Sequence, residues 1–364
     1  PYAMVVGAPA GDVVRVVFKR AEDYLPGDVL ELYEHTSTQQ VVRTLSSMTI
    51  APLTEAQVKA LTDSYFPSGR FAEYIAYDLT LDAPVNAAPG DFISNKDRSN
   101  EGFLIADCYV QNTRARGILI KAGNGVISNC VVDTTWLPGL QLRPEPAVWL
   151  EGDYAHDVQV IGNTFNNCGI NSQANGSIRL DSEDGYGWNA HGHENILFED
   201  NVVSNAPGIS LYMAYAANVE LRNNSFCNSH EWMVVPYTWT ESVIFIHTVD
   251  NISFTGTNWV CNLGPFADPD ILIRRGGNVG SVSGQLYRPF DDLVMERNPQ
   301  YAVWKSDYGL VQGADGNDDG DTAINFVEFA LGGDPTNSAD IGYVPIISAA
   351  VGGFEYVHVQ RRDA

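Results

Sequence analysis

The sequence predicts an all-β chain: a right-handed parallel β-helix with an inserted antiparallel β-barrel or sandwich segment and a short acidic loop region near the C-terminus. Three observations carry this. The runs "LIADCYV", "VISNCVV", "VIGNTFN", "FEDNVVS", "LRNNSFC" and "FTGTNWV" share a pattern of apolar strand, polar corner and second short strand. Their aligned corner residues, Asp107, Asn129, Asn163, Asn201, Asn224 and Thr257, lie 22, 34, 38, 23 and 33 residues apart. Residues 1–90 and 313–335 depart from that period, each in its own way.

Residues 1–90 form the first element. "DVVRVVF", "DVLELYE" and "AEYIAYDLTL" read as antiparallel strands separated by Gly and Pro turns. "TEAQVKALTDSYF" is a short amphipathic helix with Thr54 as its N-cap. Residues 91–290 form the second element. A bare repeat of 22 or 23 residues built of short strands and Asn/Gly turns marks a parallel β-helix. Asn at a corner tolerates left-handed backbone and hydrogen-bonds along the stack. The longer repeats carry insertions, "TTWLPGLQLRPEPAVWLEGDYAH", "DSEDGYGWNAHGHE" and "HEWMVVPYTWTE". They are expected to project from one flank and to build a binding face, because loops on a rigid scaffold carry function.

Composition limits the partners. Acids outnumber Lys and Arg 45 to 21, for a net charge of −24. Such a surface disfavours nucleic acid and anionic membranes, and no apolar run is long enough to span a bilayer. The balance fits a secreted protein that meets neutral sugars or divalent cations. The five cysteines, Cys108, Cys130, Cys168, Cys227 and Cys261, show no paired spacing and read as buried single thiols. Pro1 in place of Met, and a last segment (341–364) that alternates like a strand, suggest part of a longer protein.

Residues 291–340 read as a linker containing an EF-hand-like calcium loop. In "GADGNDDGDTAINFVEFALGGDP" a register starting at Asp315 puts Phe326 at position twelve. A register starting at Asn317 puts Glu328 there, with Asp319, Asp321, the Ala323 carbonyl and Asn325 as further ligands. The second is preferred, because a bidentate acid at twelve outweighs the missing turn glycine. The segment resembles calcium-binding connectors of secreted bacterial proteins, and a structural Ca2+ is the expectation.

The runs "NTRARGILI" and "VWLEGDYAHDVQVIGNTFNNCG" resemble glycoside hydrolase family 110 across roughly residues 1–260. That resemblance implies a right-handed β-helix with an inserted barrel. It also implies exo-hydrolysis of terminal α-linked galactose, with inversion by two carboxylates roughly 6.5–9.5 Å apart. The family's Asp-Asp-x-x-Asn-x-His run has no counterpart here, so the resemblance implies the expectation that its principal aspartates lie outside this chain. The carboxylates available for catalysis are Glu151, Asp153, Asp181 and Asp184. Arg114 and Arg116 form either a fork for sugar hydroxyls or a pair of surface arginines held by acids. Trp149 and Trp188 are the candidate stacking platforms, solenoid packing being the alternative for Trp149. His191 and His193 form either a weak metal site or part of a polar loop. Two other functions share the fold: a polysaccharide lyase using Arg179 or Lys121 as base, and a non-catalytic adhesin or sugar-binding fragment.

Overall fold

Six antiparallel strands close a barrel at the start of the chain. They are β1 (Tyr2–Val5), β2 (Val13–Phe18), β3 (Val29–Tyr33), β4 (Val41–Ile50), β5 (Ile75–Leu81) and β6 (Phe92–Asn95), paired in the order β1-β2-β5-β4-β3-β6 and back to β1. The computed structural model describes residues 2–18, 24–33, 41–60, 75–99, 101–146, 149–171, 176–182, 192–231, 242–264, 266–267, 272–288, 299–312, 316–321, 323–325, 328–329, 334–340, 346–350 and 353–357. Alternation along β2 and β5 turns Val14, Val16, Leu79 and Leu81 into the barrel core. Closure leaves no sheet edge. The helix between β4 and β5, α1 (Glu55–Ala60), opens with the expected cap: Gln57 N donates to Thr54 Oγ1 (3.2 Å), and Thr54 N donates back to Gln57 Oε1 (2.9 Å). This reciprocal pair is a capping box.

From Leu104 the chain winds as a right-handed parallel β-helix of three sheets. The first sheet stacks Leu104–Ala106, Gly125–Ser128, His156–Ile161, His193–Glu199 and the later halves of Leu211–Arg222 and Ile244–Thr255. The second stacks Tyr109–Thr113, Val131–Thr135, Thr164–Cys168, Val202–Ser204, Ser225–Ser229 and Asn258–Leu263. The third stacks Ile118–Ile120, Leu140–Leu142, Ile178–Leu180, the earlier halves of the two twelve-residue strands and Ile273–Val279. Inward rows follow from the register: Ile127–Val160–Phe198–Leu221–Phe254 on the first sheet and Val132–Phe165–Val203–Phe226–Val260 on the second. All are buried, each side chain contributing about 1.5–3 kcal/mol.

The corner after the first sheet holds two residues with different tasks. Asp107, Asn129, Asp200 and Asn223 take left-handed φ of 53–55° and point outward. The next residue, Asn163, Asn201, Asn224 or Asn258, is at most 1% exposed and forms an internal ladder. Each ladder Oδ1 accepts the backbone N–H of the coil before it (2.9–3.1 Å), and each Nδ2 donates to a carbonyl of that coil (2.8–3.0 Å). The corner residues aligned from sequence therefore fall at two adjacent positions. Asp107, Asn129 and Thr257 belong to the corner, while Asn163, Asn201 and Asn224 belong to the ladder, where Cys108 and Cys130 stand in the first coils. Cys130 and Cys168 are buried free thiols as expected, and burial pushes the Cys168 thiol up to about 11. Cys227 and Cys261, in contrast, face one another on neighbouring second-sheet strands and form a disulfide. No spacing rule reveals that pair, because their separation of 34 positions is one coil plus an insertion.

The insertions also leave at more than one corner. Residues 169–177, 230–243 and 264–272 precede third-sheet strands, whereas 143–155 and 181–192 follow them. Their points of departure thus lie at both ends of the third-sheet strands. Residues 287–364 form a separate compact unit with α2 (Pro299–Tyr308), a small core of Tyr301, Trp304 and Phe329, and a hairpin of Ile346–Ala350 with Gly353–Val357.

Candidate functional site

The third sheet carries its chemistry on its outer side. Its inward row is Ile118, Leu140, Ile178, Leu211 and Ile244, so alternation points Leu119, Gln141, Arg179, Tyr212, Phe245 and Arg274 outward. One residue beyond the first three strands come Lys121, Arg143 and Asp181, and His247 takes the equivalent place within Ile244–Thr255. Outward side chains of a solenoid are ordinarily solvated. Here Gln141, Arg143, Arg179 and Asp181 are each at most 9% exposed.

These groups form one continuous network. Arg143 and Arg179 both donate to Asp181 Oδ2, at 2.8 and 2.6 Å, and Gln141 Nε2 donates to Oδ1 at 3.1 Å. Arg116 Nε donates to the Gln141 oxygen, and its terminal nitrogen donates to Glu145 Oε1 at 3.1 Å. Lys121 Nζ bridges Glu145 (2.6 Å) and Glu151 (3.3 Å). The Arg179 guanidinium lies 4.9 Å over the Tyr212 ring, beside Phe245, His247 and Tyr215. Burial raises the Asp181 carboxyl above its ordinary value, and the two guanidiniums oppose that rise. Four cationic side chains stand against three carboxylates, in a protein with a large excess of acid.

The other sequence candidates are dispersed. Glu151 is half exposed at the network's rim. Asp153, two residues on, lies instead at the joint between barrel and coils. Its carboxylate accepts from Tyr2 (3.0 Å), Tyr33 (3.1 Å), Ser94 (2.7 Å), Lys96 (2.9 Å) and Tyr154 N (2.8 Å). Burial works against its charge, but Lys96 and Ser94 outweigh it and hold the carboxyl below its ordinary value. Asp153 is therefore an anchor with no oxygen left for proton transfer, in contrast to the catalytic role expected of it. The same insertion adds Leu150 and Tyr154 to a core with Tyr2, Met4, Tyr33 and Phe92 of the barrel.

Arg114 is exposed and does not join Arg116 in a fork, because residues 114–115 form a bend and strand alternation does not apply there. Trp149 is 39% exposed. His193 is fully buried: Nδ1 accepts from Ala155 N (3.1 Å) and Nε2 donates to the Asp181 carbonyl (2.9 Å). Burial lowers it to about 4, so it is neutral, and with both ring nitrogens engaged it offers no lone pair to a metal ion. Asp184, Trp188 and His191 lie outside the described residues. Gln141, Arg143, Glu145, Tyr212, Phe245 and His247 were not singled out from sequence. Their signal is the alternation in "LQLR", "IRLD", "LYMA" and "IFIH", which becomes visible once the third strand of each coil is aligned.

In the C-terminal unit, carboxylate oxygens of Asp319, Asp321 and Glu328 all lie within 4.8 Å of one another. Asp319 Oδ2, Asp321 Oδ2 and both Glu328 oxygens are buried with no hydrogen-bond partner among the described residues. Burial, with Asp319 and Asp321 nearby, pushes Glu328 up to about 7. Asn317 Oδ1 accepts from Gly320 N (2.6 Å) and Asp321 N (3.1 Å), which winds the loop. Ala323 is buried beneath the loop. Asn325 uses its side chain to hold Asp318, at 2.7 and 3.2 Å. Four unpartnered buried carboxylate oxygens fit a hard divalent cation.

A family profile described as "Right handed beta helix region" matches residues 85–226. Among solved structures, the chain is similar to the tailspike protein gp49 from Pseudomonas phage LKA1, at 10% identity over 77% of this chain and 41% of that one, with a TM-score of 0.23. It is also similar to the Pseudomonas phage phi297 tailspike gp61 (11%, 79% and 58%, 0.22) and to the Gp54 tailspike of Acinetobacter baumannii bacteriophage AP22 (12%, 80% and 58%, 0.19). The chain thus spans about half the length of these tailspikes. No curated protein sequence matches it.

Proposed function

We propose that the outer face of the third sheet binds carbohydrate, a terminal α-linked galactose or a similar sugar, and serves an inverting glycoside hydrolase of a secreted bacterial protein. The observation that carries this reading is the buried Arg116–Gln141–Asp181–Arg143–Arg179 network beside an aromatic cluster. Guanidinium and amide groups fixed on strands present donors to ring hydroxyls without reorganising, and an aromatic face accepts the apolar side of a pyranose. Asp181 is a positioning residue, because Gln141, Arg143 and Arg179 occupy both its oxygens. Glu151 is the accessible carboxylate suited to proton transfer. Glu145 is not its inverting partner: both contact one Nζ, so their nearest oxygens lie within about 6 Å, short of the inverting separation. Inversion therefore needs a second carboxylate beyond the described network.

A lyase is disfavoured. Lys121 is held by two carboxylates and Arg179 by Asp181, and neither offers a base. The test is hydrolysis and binding of a synthetic α-galactoside. Glu151→Gln should abolish hydrolysis with binding retained, and Arg116→Ala should weaken binding about tenfold. Release of sugar at an undiminished rate by Glu151→Gln would place the chemistry elsewhere, and binding without hydrolysis by the unaltered chain would make it a binding module.

For the C-terminal loop we propose a structural Ca2+ held by Asp319, Asp321 and Glu328 and completed by the Ala323 carbonyl, with Asn317 winding the loop instead of ligating. Its charge would offset the buried carboxylates. Chelator should lower the melting temperature of the C-terminal unit, and Glu328→Gln should do so without chelator. An unchanged melting curve in both would remove the ion from the account.

A further inference from the structure

A cleft of about 200 Å³ opens where the barrel meets the corner between third and first sheets, lined by Glu31, Tyr33, Lys96, His156, Asp157, Gly192, Glu194 and Asn195. We propose that this cleft is a second subsite that takes one sugar ring bearing hydroxyl or ammonium donors and rejects sugars bearing a carboxylate. The ligand class rests on the carbohydrate reading above; the charge preference rests on the cleft itself.

Its donors are already engaged. Lys96 Nζ is held by Asp153 at 2.9 Å and Glu31 at 3.1 Å. The Tyr33 hydroxyl lies 2.7 Å from Glu31 and 3.1 Å from Asp153. His156 sits between Glu101 and Asp157, 3.0 Å from each. The Asn195 amide donates to Asp157 at 3.1 Å. Acceptors remain. Glu31 is 8% exposed, and its Oε2 receives both Tyr33 and Lys96 while Oε1 has no hydrogen-bond partner among the described residues. Glu194 accepts from Asn218 through Oε1 only. Three carboxylates line the cleft against one ammonium, so a ligand must supply the protons, and a cation gains where an anion loses. The volume suits one small ring, being below the roughly 300–1,000 Å³ of larger ligand pockets. The walls are rigid. Glu31 and Tyr33 belong to β3, His156 and Glu194 belong to paired strands, and Gly192 lies so close to Tyr154 that an added Cβ would stand 2.4 Å from its ring.

The experiment is ligand-observed NMR or calorimetry at neutral pH with galactosamine, galactose and galacturonate, which share one ring and differ in charge. Galactosamine should bind tightest, galactose next, and galacturonate at least about tenfold weaker than galactosamine. Glu194→Gln should weaken galactosamine binding in the cleft, and Glu194→Lys should abolish it. Equal or tighter binding of galacturonate overturns the proposal. So does binding that ignores both Glu194 variants but responds to Glu151→Gln, an outcome that leaves the third-sheet reading standing. If no monosaccharide binds, the cleft is no sugar subsite, and the α-galactoside assay still decides the third-sheet reading separately.

Discussion

Two buried aspartates, 28 residues apart in the chain, show how neighbours assign a carboxylate its work. Asp153 at the barrel joint meets hydroxyls, a backbone amide and one ammonium, and its charge is held below the ordinary range. Asp181 on the third sheet meets two guanidiniums and an amide, and burial holds its carboxyl above that range. The first lies between two parts of the fold and locks them. The second lies on the outer face of the third sheet and fixes two guanidiniums and an amide there. Both are acidic, inaccessible and fully hydrogen-bonded, so burial alone does not distinguish structural from functional carboxylates; where in the fold their partners stand does.

The sharpest way to break the comparison is to remove the first aspartate. Asp153→Ala leaves Lys96 and Tyr33 with Glu31 alone, removes the acceptor of Tyr2 and Ser94 in a buried joint, and should cost about 4 kcal/mol in urea unfolding. Removing the charge of the second, in Asp181→Asn, keeps the shape and should cost less while disturbing ligand binding. Equal losses would show that the network also serves the fold.

Next in size is the internal asparagine ladder. Asn201→Ala removes the side-chain acceptor of the Asn163 amide and a donor to the Val160 carbonyl, and should cost about 3 kcal/mol. Asn228, whose exposed side chain donates to Asn205 at 2.8 Å on the outer surface, is the control. Asn228→Gly, which keeps the left-handed φ of 55°, should stay within about 0.5 kcal/mol. Thermal unfolding of the two variants compares the inner and outer ladders directly.

The smallest of these effects depends on pH. His193 packs against Tyr154, with ring centroids 4.9 Å apart, and links the joint to the Asp181 carbonyl. Its folded value of about 4 lies below the ordinary 6.5, so the unfolded chain takes up the proton first. Its stabilisation is complete above pH 6.5 and is lost as pH falls toward 4, by on the order of 3 kcal/mol at most. The Asp153 contribution is lost only at lower pH, because its folded value is depressed below 3.8. His193→Gln should flatten the upper limb of an acid-unfolding curve and leave the lower one. A curve with a single limb below pH 4 would contradict the assignment.

Much of this fold was legible in the sequence, because strand alternation and corner asparagines are local signals. The barrel strands, the Thr54 cap and the buried thiols of Cys130 and Cys168 follow from them. The disulfide does not, because Cys227 and Cys261 meet only through the register of two coils. The site was legible in part. Arg116, Glu151 and Asp181 were marked by residue type, yet type alone also marked Asp153 and Arg114. Their separation comes from a bend at residues 114–115 and from an insertion that turns at Leu150, where φ is +50°. Neither turn carries a glycine or proline signal at the residue itself.

The central claim is that the outer face of the third sheet is where sugar sits. A crystal structure of the protein with an α-galactose-terminated oligosaccharide tests it most directly. The account places the terminal ring against Arg179, Tyr212 and Glu151. Density on the outer face of the second sheet, or on neither sheet at saturating ligand, would contradict it.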